Sequence, residues 1–552
     1  MGRYRPPRRR GSRPRRGEAP AAGCGGREAG TGGDPRLTRV PAVAALLCLA
    51  AASPGGTRPG IPTASALRER VGAYRAAHEV AIVRELVGLL GVPNVASDGP
   101  NIEKSAAAVA AALEKRGIHP QFLRVPNAPP AVFGSLEVPG ASRTIVLYAH
   151  YDGQPVDPRD WTGDPWIPRL RDGPLEAKGR EIPWEDLRAP IPPEWRIYAR
   201  SASDDKAPVV GILTALDAIR AAGIAPSCNL KFFFEGEEEA GSPHLGEILE
   251  KYADRLRSDL WVLFDGPVHT TRRMQVYFGA RGVTDLTITL YGPSRRLHSG
   301  HYGNWAPNPI AALATLLASM RDADGFVTVA GFADGVRPLT ELERRAIAAA
   351  PDTDAALADE LAIARPEGRG DRLIAAIQRP ALNLRGISGG AVGERATNSI
   401  PTEATASIDF RLVPDQTLEG IRKAIEAHVR ARGYTVVEAA PDESARRRGR
   451  LARMVWGSGY PASRTPMDLP ASRAIVDVVS GASGGPVIAL PMLGGSIPMH
   501  LFREKLATPV VGVPIANHDN NQHAANENLR IQNLWDGIDV YAAILARLAW
   551  VD

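Results

Sequence analysis

Apolar positions recur every three to four residues across 66–91 and again across 102–117, the spacing of one helix face, and the second run closes on Gly117 as a C-cap. Thr144 to Ala149 is a nearly unbroken apolar run, the pattern of a strand buried on both faces of a parallel sheet. A helix over 208–222, a strand over 230–234, a helix over 243–257 and a strand over 260–264 follow. This alternation predicts an α/β fold with a mostly parallel, doubly wound sheet, whose ligands bind beyond the carboxyl ends of the strands. After about residue 276 the texture changes. Residues 282–290 alternate with period two, a helix is expected over 308–321, and strands near 403–413 and 434–439 flank a helix over 417–432. That is the pattern of a small α+β, ferredoxin-like unit with an antiparallel sheet. The α/β texture returns past 467, with a helix over 470–480, a Gly-rich turn at 494–496, a strand over 509–513 and a last helix over 531–548. The expected organisation is one α/β domain made of 63–275 and 467–552, with a second domain, 276–466, inserted in it.

Composition changes the picture only at the amino end. The 552 residues are 44% hydrophobic and 23% charged, which excludes disorder throughout and is too much chain for one compact core. A net charge of +5 suggests an anionic partner. Residues 1–39, however, hold 11 Arg against 3 acids, leaving 55 bases against 58 acids in the remainder. The basicity belongs to a leader, residues 1–62, expected to be disordered, and no nucleic-acid partner is expected. Within it the uncharged run 40–53 falls short of the roughly 20 residues that span a bilayer but has the form of a signal-peptide core. A short Ala/Leu helix is the other reading. The expectation is an exported protein, periplasmic or secreted, and otherwise a cytoplasmic one, without a stable membrane anchor. If the signal is removed, Cys228 alone remains of Cys24, Cys48 and Cys228, so no intrachain disulfide forms.

Five segments place acids or imidazoles where predicted strands end. His150 and Asp152 follow the strand 144–149. Residues two apart on an extended chain share a side, so Asp152 can fix the tautomer of a metal-bound His150. Asp204 and Asp205 precede a helix, where carboxylates serve equally as caps. Glu235, Glu237, Glu238 and Glu239 crowd the end of an apolar strand, an arrangement that is costly unless cations or protons compensate. Asp265 ends the strand 260–264, and His523 lies in an Asn-rich loop before the last helix. Each alone has a bland structural reading. Together, two histidines and three acids converge on one crevice, and imidazole plus carboxylate without thiolate suits catalytic zinc, with a shared carboxylate joining two ions.

In their order and spacing these five motifs resemble the co-catalytic zinc peptidases and amidohydrolases of peptidase family M20, which include carnosinases, nonspecific dipeptidases, aminoacylases and G-type carboxypeptidases. The resemblance spans residues 66 to 552. It implies two Zn2+, with Mn2+ or Co2+ as substitutes: His150 and Asp265 on the first ion, Glu239 and His523 on the second, and Asp204 bridging both. It implies Glu238 as general base toward water and Asp152 as the group that orients His150. The inserted domain resembles the family's lid and dimerisation domain. In it His298 of Arg296-Leu-His-Ser-Gly300 matches the histidine that reaches a partner subunit's active site, and Asn398, Arg411 and, outside it, Ser496 match substrate-binding positions. The Arg-Leu-His-Ser-Gly, Arg-Leu-Val-Pro and Gly-Gly-Ser-Ile-Pro forms favour the dipeptidase branch, hence a homodimeric hydrolase of dipeptides or short peptides with a free carboxylate. An N-acyl amino acid deacylase using the same site is the alternative. Three features depart from the family pattern. Its usual Gly-Arg-Gly is Ala199-Arg200-Ser201 here, its glycine after the lysine is Ala207, and residues 161–200 form a longer segment than usual, rich in Trp and Pro.

Overall fold

Side chains of the strand Thr144–His150 alternate between two cores, because the strand is paired on both edges and covered on both faces. Ile145, Leu147 and Ala149 join one cluster, Val146 and Tyr148 the other. The neighbouring Phe232, Phe233 and Phe234 divide in the same way. The computed structural model describes residues 62–551, so the basic leader and the run 40–53 lie outside the described residues. No helix among the described residues is long and apolar enough to cross a membrane.

The larger sheet has eight strands, in the order Gln121–Leu123, Ala131–Leu136, Asn229–Glu235, Thr144–His150, Leu260–Leu263, Val510–Gly512, Gln275–Tyr277 and Ile488–Leu490. Its middle four are parallel, so their carboxyl ends share one edge. Antiparallel pairings at Ala131–Leu136 and between Gly512 and Tyr277 make the whole sheet mixed. Helices Ala64–Leu90, Lys206–Ala221, Pro470–Ser483 and Ile531–Arg547 cover one face, and Leu245–Lys251 and Met499–Leu506 the other. This is the doubly wound arrangement that the alternation of strands and helices predicts.

A second sheet runs Ala381–Ser388, Glu403–Leu412, Gly282–Tyr291, Arg450–Tyr460 and Tyr434–Val437. Its first three pairings are antiparallel and the last is parallel. Gly282–Tyr291 buries every second residue, which set Leu286, Ile288 and Leu290 against Leu313 and Leu317 of helix Pro309–Ala318 and Ile421 and Ile425 of helix Leu418–Ala431. Two of the expected helices differ in extent: the one expected over 243–257 breaks at Tyr252 into Leu245–Lys251 and Ala253–Leu256, and the one expected over 308–321 stops at Ala318. The long segment 161–200 supplies Arg169–Arg171, Glu181–Ile182 and Arg196–Tyr198, which pair with Asn528–Arg530 in a four-stranded sheet.

Candidate functional site

The carboxyl ends of the parallel strands bring the expected residues together. His150 is the last residue of its strand, and Asp265 follows Leu260–Leu263 by two positions. Asp204 precedes helix Lys206–Ala221, while Glu238 and Glu239 sit in the single 3-10 turn Glu238–Ala240. Neighbouring glutamates can face one centre there because the backbone has left the strand. A Cβ on Gly236 would lie 2.3 Å from the Tyr151 hydroxyl, so this exit requires glycine. Two groups of donor atoms result, His150–Asp204–Asp265 and Asp204–Glu239–His523, each with its atoms within 4.8 Å of one another, and Asp204 belongs to both. His150 Nε2 lies 3.0 Å from Asp204 Oδ1, and His523 Nε2 lies 3.2 Å from Asp204 Oδ2 and 3.0 Å from Glu239 Oε2.

The electrostatics of this cluster are those of a place for cations. Burial, reinforced by Asp204, pushes Asp265 up to about 7, and burial with Asp204 also raises Glu239. Burial and the neighbouring acids hold Glu238 well above the usual carboxylate range, despite the opposing pull of His150. Hydrogen bonds to Asp204 and Glu239 push His523 up to about 11. Burial would lower His150, but its bonds to Asp152 and Asp204 outweigh it. Asp265 Oδ1 is buried with no hydrogen-bond partner among the described residues. Carboxylates gathered out of water with an orphaned oxygen, two imidazoles and no thiolate fit divalent metal of the zinc type.

Supporting groups hold this geometry. Asp152 lies 3.3 Å from His150 Nδ1 and accepts the backbone N–H groups of Glu238 (3.1 Å) and Glu239 (3.0 Å), so it orients a histidine and shapes the acidic turn at once. Three residues carry no signal that the sequence analysis used. Gln154 donates to Glu239 Oε2 at 2.9 Å, and Gln522 donates to Asp204 Oδ2 at 2.8 Å. Glu527 accepts from the backbone N–H groups of Ser201, Ser203 and Asp204 and from Arg200 Nη1 at 2.8 Å. Ser201 stands where the family pattern has glycine and takes φ 63, a left-handed conformation that Glu527 helps to hold. The Arg200 and Glu527 side chains are 2% and 1% exposed. Glu527→Ala is therefore expected to cost about 3–5 kcal/mol, because it strands a buried guanidinium. The measurement is the urea midpoint at unchanged m, and a loss below about 1 kcal/mol would mean the loop is held by other contacts.

A cleft of about 370 Å³ opens over the cluster and is lined by Asp204, Glu238, Asp265 and His523 together with Arg411 and Ser496. Arg411 Nη1 donates to Ser496 Oγ at 2.8 Å, so strand Glu403–Leu412 of the second sheet reaches the cleft through this pair. His298 and Asn398 do not line the cleft of their own chain. Both are exposed and adjacent: His298 pairs with Ser399 in a two-stranded ladder that Asn398 immediately precedes, and Ser299 N donates to Asn398 O.

Comparison with known proteins follows the same lines. The model of peptidase family M20/M25/M40 matches residues 146–547. The Cys-Gly metallodipeptidase of Schizosaccharomyces pombe is 26% identical over 491 residues, 85% of this chain and 96% of that protein. The Beta-Ala-His dipeptidase of Homo sapiens is 26% identical over 435 residues, 76% of this chain and 78% of that protein. Among solved structures, an M20 family metallo-carboxypeptidase from Sulfolobus solfataricus superposes with a TM-score of 0.68 at 25% identity, covering 84% of this chain and 98% of its own. Human carnosine dipeptidase 1 shares the fold, with a TM-score of 0.69 at 24% identity over 88% of this chain and 99% of its own. With the family model matching most of its length, this chain is a hydrolase belonging to peptidase family M20/M25/M40.

Proposed function

We propose that this protein is a dizinc dipeptidase that cleaves the amide bond of dipeptides or short peptides with a free carboxylate. The observation that carries the reading is the pair of donor groups sharing Asp204 beneath a cleft that also holds Arg411. His150 and Asp265 would hold one ion, Glu239 and His523 the other, with Asp204 between them. Zinc there, or Mn2+ or Co2+ in its place, supplies Lewis acidity toward the scissile carbonyl and toward water. Glu238 accepts the proton of the attacking water on a carboxylate oxygen and returns it to the leaving nitrogen. Asp152, 3.3 Å from His150 Nδ1, would keep His150 in the tautomer whose Nε2 could hold an ion. Arg411, supported by Ser496, binds the substrate carboxylate through its planar guanidinium. The named relatives are dipeptidases, which favours a peptide substrate over an N-acyl amino acid.

Homodimerisation through the inserted region is part of the reading. His298 and Asn398 would then serve the partner's cleft, with His298 stabilising the oxyanion. Trp305 (80% exposed) and Val392 (82% exposed) lie along the same stretches of chain as apolar surface for such an interface. Dialysis against a chelator is expected to abolish dipeptide hydrolysis, and Zn2+ to restore it in a dimer carrying two ions per chain. Full activity in metal-free protein would overturn the reading, and one ion per chain would overturn its dizinc form.

A further inference from the structure

A second cavity, of about 580 Å³, adjoins the metal cleft and has no part in the chemistry above. Pro267 and Gln522 wall both spaces, so the two meet along that edge. Arg411 and Ser496 line only the cleft. A peptide anchored by its carboxylate at Arg411 and laid across the cluster therefore extends its amino side toward the second cavity.

The lining of that cavity has unspent polarity. Asp519 is compensated by Arg530, whose Nη2 lies 2.8 Å from its Oδ1, and by Arg196. Glu176 accepts only the amide of Asn521, at 3.3 Å, and no ion pair reaches Glu360 among the described residues. Asn520, 3% exposed, accepts the Gln522 N–H on Oδ1 at 2.7 Å, which fixes the orientation of its amide. Its Nδ2 is then left buried with no acceptor among the described residues, and His518 Nδ1 is likewise without a partner there. Native proteins rarely leave a buried donor unsatisfied, and Asn520 belongs to the lining of a space that also holds Glu176, Glu360 and Asp519. The two uncompensated acids come from the long segment 161–200 and from the inserted region, two parts of the chain to which the reaction itself assigns no acid.

We propose that this cavity receives the amino side of the substrate and selects a cationic group, held by Glu176 and Glu360, with an acceptor of the same ligand on Asn520 Nδ2. The inference rests on the dipeptidase reading. The cation has two possible sources with one chemistry: the side chain of a basic residue on the amino side of the scissile bond, or the α-ammonium of one further residue, whose carbonyl would also satisfy Asn520.

The test compares kcat/KM of the zinc-loaded full chain for Lys-Gly against norleucyl-Gly, and for Ala-Ala-Gly against its N-acetyl form. One cationic member is expected to exceed its neutral counterpart by at least about tenfold, the worth of a charge-assisted hydrogen bond. That ratio is expected to collapse toward one in the Glu176→Gln/Glu360→Gln double variant. A Lys-Gly preference assigns the side chain, and a tripeptide preference assigns the α-ammonium. Ratios near one in both pairs, or ratios that the double variant leaves intact, overturn the inference while cleavage of the neutral dipeptide keeps the dipeptidase reading. Absence of any peptide cleavage overturns that reading and the inference with it.

Discussion

Glu238→Gln is expected to lower kcat for dipeptide hydrolysis by about 100- to 10,000-fold, the usual contribution of a positioned general base, with metal content unchanged. The structure singles Glu238 out from its acidic neighbours. Glu235 accepts the Tyr148 hydroxyl at 2.7 Å, Glu237 is bonded to the backbone and ring of His244, and Glu239 is bonded to His523 and Gln154. Glu238 alone of the four has a carboxylate with no hydrogen bond among the described residues, and it lines the cleft. An amide matches the carboxylate in shape and cannot take a proton, so the change acts on the proton transfer and spares the donor groups. KM should move little, since no ground-state contact of the substrate is lost. A loss below about tenfold would place the base elsewhere. So would an equal loss of bound metal, which would make Glu238 a ligand.

Several of the residues proposed for this chemistry stand out in the chain because they follow segments whose pattern is strong. The run 144–149 and the three phenylalanines at 232–234 are unmistakable buried strands, and His150 and Glu235 close them. What escaped is whatever depends on distant parts of the chain. Glu527 lies four residues after His523 in a loop of amides, where an acid looks solvated, and its donors come from residues 200–204, more than 300 positions away. The strand Arg450–Tyr460 escaped for a different reason. Its sequence does not alternate, because Gly457 and Gly459 replace side chains where the partner strand presses close and the pairing shifts register between Thr284 and Leu286. A Cβ on Gly459 would lie 2.2 Å from the carbonyl oxygen of Val283. A glycine in a strand read from one sequence suggests a break, whereas here it is the condition for pairing.

Asp204→Asn is expected to remove activity altogether and to reduce bound metal from the proposed two ions per chain to fewer than one. Asp204 is the single residue common to both donor groups, so its loss leaves His150 with Asp265 on one side and Glu239 with His523 on the other. Two protein donors are fewer than the three that a catalytic zinc site ordinarily uses. The substituted amide keeps a carbonyl oxygen, but the charge that balances two dications and two imidazoles is gone. The fold itself should survive, because the backbone N–H of residue 204 still donates to Glu527 and the other bonds to that carboxylate come from Arg200, Ser201 and Ser203. Thermal unfolding separates the two effects. Metal at a hundredfold excess over its Kd stabilises a native state by about 2.7 kcal/mol, so the wild-type chain should gain Tm on addition of Zn2+. The variant should show no such gain while its metal-free Tm stays near that of the metal-free wild type. A variant that kept its zinc-dependent rise would show that the ions do not share Asp204, and the two-ion arrangement would fall with it. A variant that lost Tm in the absence of metal would instead make Asp204 a structural residue of the loop, and its loss of activity would then say nothing about the ions.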